Sequence, residues 1–148
     1  MGGQILYDTK YWNIMMNQYW IGAKVIKGSM RGAAVAELNE HAQDESKHAG
    51  MLVGRIIQLG GTPPLRPEDW LKKTNCVYDA PDDPLVKKVV EQNIKGEQCA
   101  IEVYKKLLDV VKDKDVVTQN MLTEILTDEV EHEEDLESLF DDMNLMKG

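Results

Sequence analysis

The sequence predicts an all-α protein, a four-helix bundle with a long crossover between its second and third helices, and three observations lead there. All five prolines (Pro63, Pro64, Pro67, Pro81 and Pro84) fall in one central window, so the long segments on either side are free of the strongest helix breaker. Apolar residues recur through those segments at alternating spacings of three and four, the period of a helix with one buried face. Each half carries one short break, KGSMRGA around Gly28 to Gly32 and KDKD at residues 112–115, which divides it into a helical hairpin. At 148 residues the chain reads as a single domain, residues 1–148, long enough to bury a core without disulfides or a structural metal.

The first helix is placed at roughly residues 4–28, with Ile5, Asp8, Trp12, Met15, Tyr19, Ala23 and Ile26 on its inward stripe. The second, at roughly 32–59, presents Leu38, Ala42, Glu45, Ala49, Leu52, Ile56 and Leu59, with His48 beside Ala49. His41 lies beside that stripe without a carboxylate three residues before it and is read as a surface or interface residue. The crossover follows, with a short helical turn expected at PEDWLKK. The third helix, at roughly 83–112, carries Val86, Val90, Asn93, Glu97, Ala100, Tyr104, Leu108 and Val111. The fourth, at roughly 116–143, carries Leu122, Ile125, Glu129, His132, Leu136, Leu139 and Met143, while Glu131, Glu133, Glu134 and Asp135 flank it as a solvated face. A helix of ~28 residues is ~42 Å long, a length that suits a four-helix bundle.

The net charge of −9 argues against a nucleic-acid backbone or an anionic membrane as partner and suits attraction of cations. No apolar run approaches the ~20 residues of a membrane span, and MGGQILYDTK lacks the basic start and apolar stretch of a signal peptide, so the expected compartment is the cytoplasm. Cys76 and Cys99 form no C-x-x-C pair and are too few for a secreted disulfide framework; by themselves they read equally well as small buried hydrophobes. Exposed tryptophans, Trp20 and Trp70, predict more contact surface than a monomer needs, hence a closed oligomer.

The chemistry lies in acids placed on inward faces. An ionised carboxylate alone in the interior costs several kcal/mol, so Glu45, Glu97 and Glu129 require a compensating charge. None of the 17 basic residues falls on the four stripes, which leaves a bound cation. Glu45 and His48 repeat the spacing of Glu129 and His132, and each Glu-x-x-His unit sets one oxygen and one nitrogen donor on the same helix face, one turn apart. With Glu97 they make a five-ligand cage whose donors suit iron or manganese, with zinc as competitor, rather than a soft thiolate metal. Tyr19 is expected to fill core nearby with its hydroxyl bonded to a carboxylate.

These paired Glu-x-x-His helices, the mid-helix Glu97 and the long crossover resemble the ferritin-like di-iron superfamily over nearly the whole chain. NQYW at residues 17–20 is similar to the first-helix signature of bacterioferritins, and DESKHAGMLVGRIIQLGGTP resembles their second helix and its exit. Cys76 in the crossover and Cys99 in KGEQCAI resemble the thiol pair of the Dps-like thioferritin branch. The resemblance implies a cytoplasmic cage of identical subunits, a dodecamer, that oxidises ferrous iron with hydrogen peroxide or oxygen, stores the ferric product and protects against oxidative stress. It implies Glu45, His48, Glu97, Glu129 and His132 as the metal-ligating and catalytic residues of a di-iron site, and Cys76 and Cys99 as redox thiols. Haem is not carried over, because Ser46 stands where haem-bearing bacterioferritins place the axial methionine, and DNA binding is not, because the chain has no lysine-rich tail. The family's first-helix glutamate falls at Trp12, so a sixth ligand is missing and an asymmetric site is expected, tight at Glu129 and His132 and weak at Glu45 and His48. Two other readings stay open: a rubrerythrin-type peroxidase supplied with electrons by a separate iron–sulfur protein, and a non-catalytic bundle that binds metal for structure.

Overall fold

The computed structural model describes residues 10–70, 72 and 74–146, with side chains from residue 14 onward. Asp8 and the side chain of Trp12 therefore lie outside the described residues. Among the described residues the helices are α1 (Lys10–Val25), α2 (Arg31–Gln58), α3 (Pro67–Trp70), α4 (Val86–Val111) and α5 (Val116–Leu145). The four long helices form the bundle, α1 packing chiefly on α2 and α4 chiefly on α5, and α3 is the short turn expected in the crossover. Predicted and observed ends of α2, α4 and α5 agree within three residues, because each boundary carries a physical signal. After α2 the chain turns through Gly60 at φ +79°, with the Gly60 and Gly61 amides donating to the Ile57 and Ile56 carbonyls at 3.0 and 2.9 Å. Asp115 caps α5 by accepting from the Thr118 amide at 3.1 Å.

Two polar clamps fix the ends of the bundle. Arg55, in the last turn of α2, grips both Asp115 oxygens at 3.0 and 2.9 Å and donates to the Thr118 hydroxyl at 2.8 Å, tying α2 to the start of α5. At the other end a single bridge joins the first hairpin loop to the end of the crossover: the Lys27 amide donates to the Pro84 carbonyl at 2.7 Å, and Val86 returns a bond to the Lys27 carbonyl at 2.8 Å. Gln18, buried in α1, adds a third tether, donating to Asn93 of α4 at 3.1 Å and accepting from the Asp79 amide at 2.9 Å. Cys76 and Cys99 form a disulfide that staples the crossover to α4, with Cα atoms 6.0 Å apart.

The core follows the predicted stripes, with Tyr19, Leu38, Leu52, Ile56, Val90, Ala100, Leu122, Ile125 and Leu136 fully buried. Each buried Leu or Ile contributes about 1.5–3 kcal/mol. The structure corrects four details. Val89, Ile101, Val103 and Leu107 are buried in α4 beyond its predicted stripe, because this helix packs on α1 as well as α5; Leu59, past the end of α2, is exposed. Trp20 is 53 % exposed, as expected, but Trp70 is half-buried and its indole donates to the Pro64 carbonyl at 3.2 Å. His41, read as a surface residue, is 1 % exposed.

Candidate metal centre

Midway along the bundle the interior turns polar. Glu45 and His48 from α2, Glu97 from α4, and Glu129 and His132 from α5 are all buried, so the five residues expected to act together converge on one place. Single oxygens of Glu45, Glu97 and Glu129 and a nitrogen of His132 lie within 4.8 Å of one another. His48 joins them through Nδ1, 3.0 Å from Glu129 Oε1 and 3.8 Å from Glu45 Oε2, and His132 Nδ1 stands 3.3 Å from Glu97 Oε1. The geometry of these close approaches is not that of hydrogen bonds: both oxygens of all three glutamates and both Nδ1 atoms have no hydrogen-bond partner among the described residues. So many unpartnered buried donors, all facing inward, fit a cation of the iron, manganese or zinc class.

Each ring is held from behind. His48 Nε2 lies 2.8 Å from Asp128 Oδ2, and His132 Nε2 lies 2.9 Å from Asp44 Oδ2. The arrangement is reciprocal, since Asp44 precedes Glu45 on α2 and orients the histidine of α5, while Asp128 precedes Glu129 on α5 and orients the histidine of α2. A carboxylate accepting the Nε2 proton leaves the Nδ1 lone pair facing the centre and makes it a stronger donor. Sequence reasoning stopped at Glu-x-x-His and missed both aspartates; the signal was the longer repeat Asp-Glu-x-x-His, at residues 44–48 and 128–132.

Protons balance the charge here. Burial first, and then the neighbouring Glu129, push the Glu45 carboxyl up to about 8. Burial and Glu129 likewise hold Glu97 well above the carboxylate range. For Glu129 burial pushes upward, yet His48 and Glu97 beside it outweigh that and leave it below its ordinary value. Burial opposes charge on His48, but Glu129 and Glu45 overcome it and raise the ring to about 11. Protons so placed are what an arriving divalent cation displaces.

Two residues depart from expectation. His41 of α2 stacks on His132, centroids 4.0 Å apart at 21°, so it is part of the wall of the centre. Burial and the neighbouring His132 lower it to about 3, keeping the ring neutral. Tyr19 fills core as predicted, edge-on to His41 at 5.3 Å, but its hydroxyl finds no carboxylate and no other hydrogen-bond partner among the described residues. Glu131, Glu134 and Asp135 are exposed and Glu133 is half-buried, in keeping with a solvated face.

The ferritin family, described as a ferritin-like domain, matches residues 8–146. The chain belongs to the ferritin-like family. Among relatives of this ferritin-like protein, the DNA protection during starvation protein of Pyrococcus furiosus is 32 % identical over 136 residues, covering 90 % of this chain and 69 % of that one. The bacterioferritin of Rhodobacter capsulatus is 27 % identical over 130 residues, 85 % of this chain and 75 % of its own. A solved structure described as a dodecameric thioferritin, the bacterioferritin-related protein of Bacteroides fragilis, superposes with a TM-score of 0.95 at 35 % identity, covering 97 % of this chain and 86 % of that one. The expectation of a Dps-like, ferritin-like four-helix bundle holds. Among the described residues no helix is long and apolar enough to cross a membrane.

Proposed function

We propose that this ferritin-like protein is a Dps-like ferroxidase that oxidises ferrous iron with hydrogen peroxide or oxygen and stores the ferric product, protecting a cytoplasm against oxidative stress. Ferrous iron is the substrate, drawn to Glu45, His48, Glu97, Glu129 and His132. With peroxide, each of two ferrous ions gives one electron, the O–O bond breaks, and two protons complete two waters. The chain's own part is to hold the ions in a dry site, to give up protons as they arrive, and to keep both imidazoles aimed through Asp44 and Asp128. The observation that carries this reading is the set of three fully buried glutamates with no hydrogen-bond partner among the described residues, facing two inward Nδ1 atoms. A dodecameric cage is the corresponding quaternary structure, in line with the dodecameric state described for the Bacteroides fragilis thioferritin.

Stopped-flow absorbance after anaerobic ferrous loading tests the proposal. Glu129→Ala and His132→Ala are expected to abolish rapid oxidation while circular dichroism shows the helix content intact, because each removes a donor and also a buried polar burden. Unmodified rates in both variants would remove the ligand assignment. Light scattering tests storage, since a monomer of 16.8 kDa encloses no cavity for ferric mineral. The rubrerythrin-type reading gains nothing from the structure: both cysteines are spent in the disulfide, so an iron–sulfur donor has to come from another protein.

A further inference from the structure

We infer that Glu37, His41 and Asp135 form a second divalent-cation site, on the flank of the bundle between α2 and α5 and distinct from the five-residue centre. Glu37 and His41 are one helical turn apart on α2, and Asp135 faces them from α5. His41 Nε2 is 3.4 Å from Glu37 Oε2 and 3.7 Å from Asp135 Oδ2, and one donor atom from each residue lies within 4.8 Å of the others. Neither ring nitrogen of His41 has a hydrogen-bond partner among the described residues, although the side chain is 1 % exposed. A buried imidazole left unpartnered costs about 1–3 kcal/mol, and its environment offers carboxylates at ligand spacing instead of hydrogen bonds.

The spacing is that of a coordination shell. Donors about 2.1 Å from a common ion sit roughly 3.0–3.4 Å apart, so Glu37 and His41 already meet the requirement and Asp135 closes it by a small side-chain movement. Charge agrees as well: two carboxylates and a neutral imidazole leave a divalent ion balanced, and one nitrogen with two oxygens suits zinc, ferrous or manganous ion. Glu37 is held above the ordinary carboxylate range by burial, then by Asp135 and Glu40, a crowding of like charge that a cation relieves. Asp135 is 52 % exposed, so the ion can arrive from solvent and keep water on its remaining positions. His41 also belongs to a group with Glu97 and His132 whose donors lie within 4.8 Å of one another, which makes this site the outer neighbour of the buried centre. The inference stands whether or not that centre oxidises iron.

Zinc binding measured by calorimetry on the assembled protein decides it. With the buried centre disabled by Glu97→Gln and Glu129→Gln together, one zinc equivalent per chain is expected to remain. Adding Asp135→Asn, at an exposed position that leaves folding untouched, should abolish that equivalent or weaken it at least about tenfold. In the otherwise unmodified protein, Asp135→Asn should lower the zinc count by one equivalent, a readout that does not depend on the doubly substituted centre folding. No residual equivalent in the disabled protein, or a count that neither Asp135→Asn nor His41→Gln changes, overturns the inference.

Discussion

Replacing Asp128 with alanine removes a carboxylate that never faces the metal centre, yet it should weaken metal binding substantially. Asp128 Oδ2 lies 2.8 Å from His48 Nε2, and the side chain is 27 % exposed, so its charge is only partly screened. The His48 ring, pushed up to about 11, carries protons on both nitrogens before metal arrives; binding displaces the Nδ1 proton while Asp128 keeps the one on Nε2. Without Asp128 the ring loses both its fixed orientation and the charge that makes Nδ1 a strong donor. Loss of such a partner typically lowers metal affinity about 10–100-fold, or about 1.4–2.7 kcal/mol. Asp44 plays the same part for His132 at 2.9 Å but is 40 % exposed, so Asp44→Ala belongs near the tenfold end and Asp128→Ala near the hundredfold end. Competition of the apoprotein with a chromophoric chelator for zinc, at fixed pH and with circular dichroism as control, reads both numbers. Unchanged affinity in both variants refutes the reasoning, and a larger loss from Asp44→Ala refutes the ranking by exposure.

Reduction of the Cys76–Cys99 disulfide, which spans 23 residues, should cost about 3 kcal/mol of stability, seen as a lower urea midpoint with reductant and reproduced without it by the double serine variant. Mass spectrometry under denaturing, non-reducing conditions should find the chain two hydrogens lighter than its reduced form. Asp115 is lowered to about 2 by the Thr118 hydroxyl and amide and by Arg55, so its contribution is fully present above its ordinary value of 3.8 and is lost as pH falls through about 2. Acid unfolding of Asp115→Asn should accordingly lack the part of the transition in that window. A methyl group at Gly96 would stand 2.6 Å from Met15 Cε and 2.8 Å from Met15 Sδ, in a buried contact between α1 and α4. Both atoms are the far end of a flexible thioether that can turn aside, so Gly96→Ala should keep most of its helix-propensity gain of about 1 kcal/mol and urea titration should show a raised midpoint, whereas a lowered midpoint would mean that Met15 cannot move.

The helices were legible because each runs for many turns with a stripe of constant period and a marked end. Reading one stripe per helix, however, assumes one neighbour, and α4 packs against α1, α2 and α5; that assumption left Val89, Ile101, Val103 and Leu107 outside the predicted core. The site was legible wherever two copies of a pattern reinforced each other, as at Glu45 with His48 and Glu129 with His132. His41 shows how the rule failed. It was judged by whether a carboxylate stood three residues earlier, when the deciding fact was its own spacing: it precedes Glu45 by four and His48 by seven, two full turns, and so shares their inward face. The two aspartates were missed for a related reason. Asp44 and Asp128 sit about 100° around the helix from the glutamates they precede and look solvent-facing on a helical wheel, whereas in the bundle that direction meets the neighbouring helix. Only tertiary packing of α2 against α5 makes each of them reach the other's histidine.

The centre and the clamps around it are two halves of one design problem. Three glutamates fully buried without hydrogen bonds to the described residues work against the folded state, and desolvation of even one ion in the interior costs several kcal/mol. Protons held on Glu45, Glu97 and His48 soften that cost, but they leave the carboxyl oxygens and His48 Nδ1 without a hydrogen-bond partner among the described residues. Stability has to come from elsewhere: from Arg55 with Asp115 and Thr118 at one end, from Lys27 with Pro84 and Val86 at the other, and from Gln18 with Asn93, one helical turn before Glu97, and Asp79. These contacts keep the helices at a spacing that the polar middle would not choose by itself. On the proposed function, pre-organisation of that kind would convert the unmet demand of the carboxylates into affinity for a cation, since a bound ion would supply the partners the fold withholds and its binding energy would add directly to the stability of the folded state.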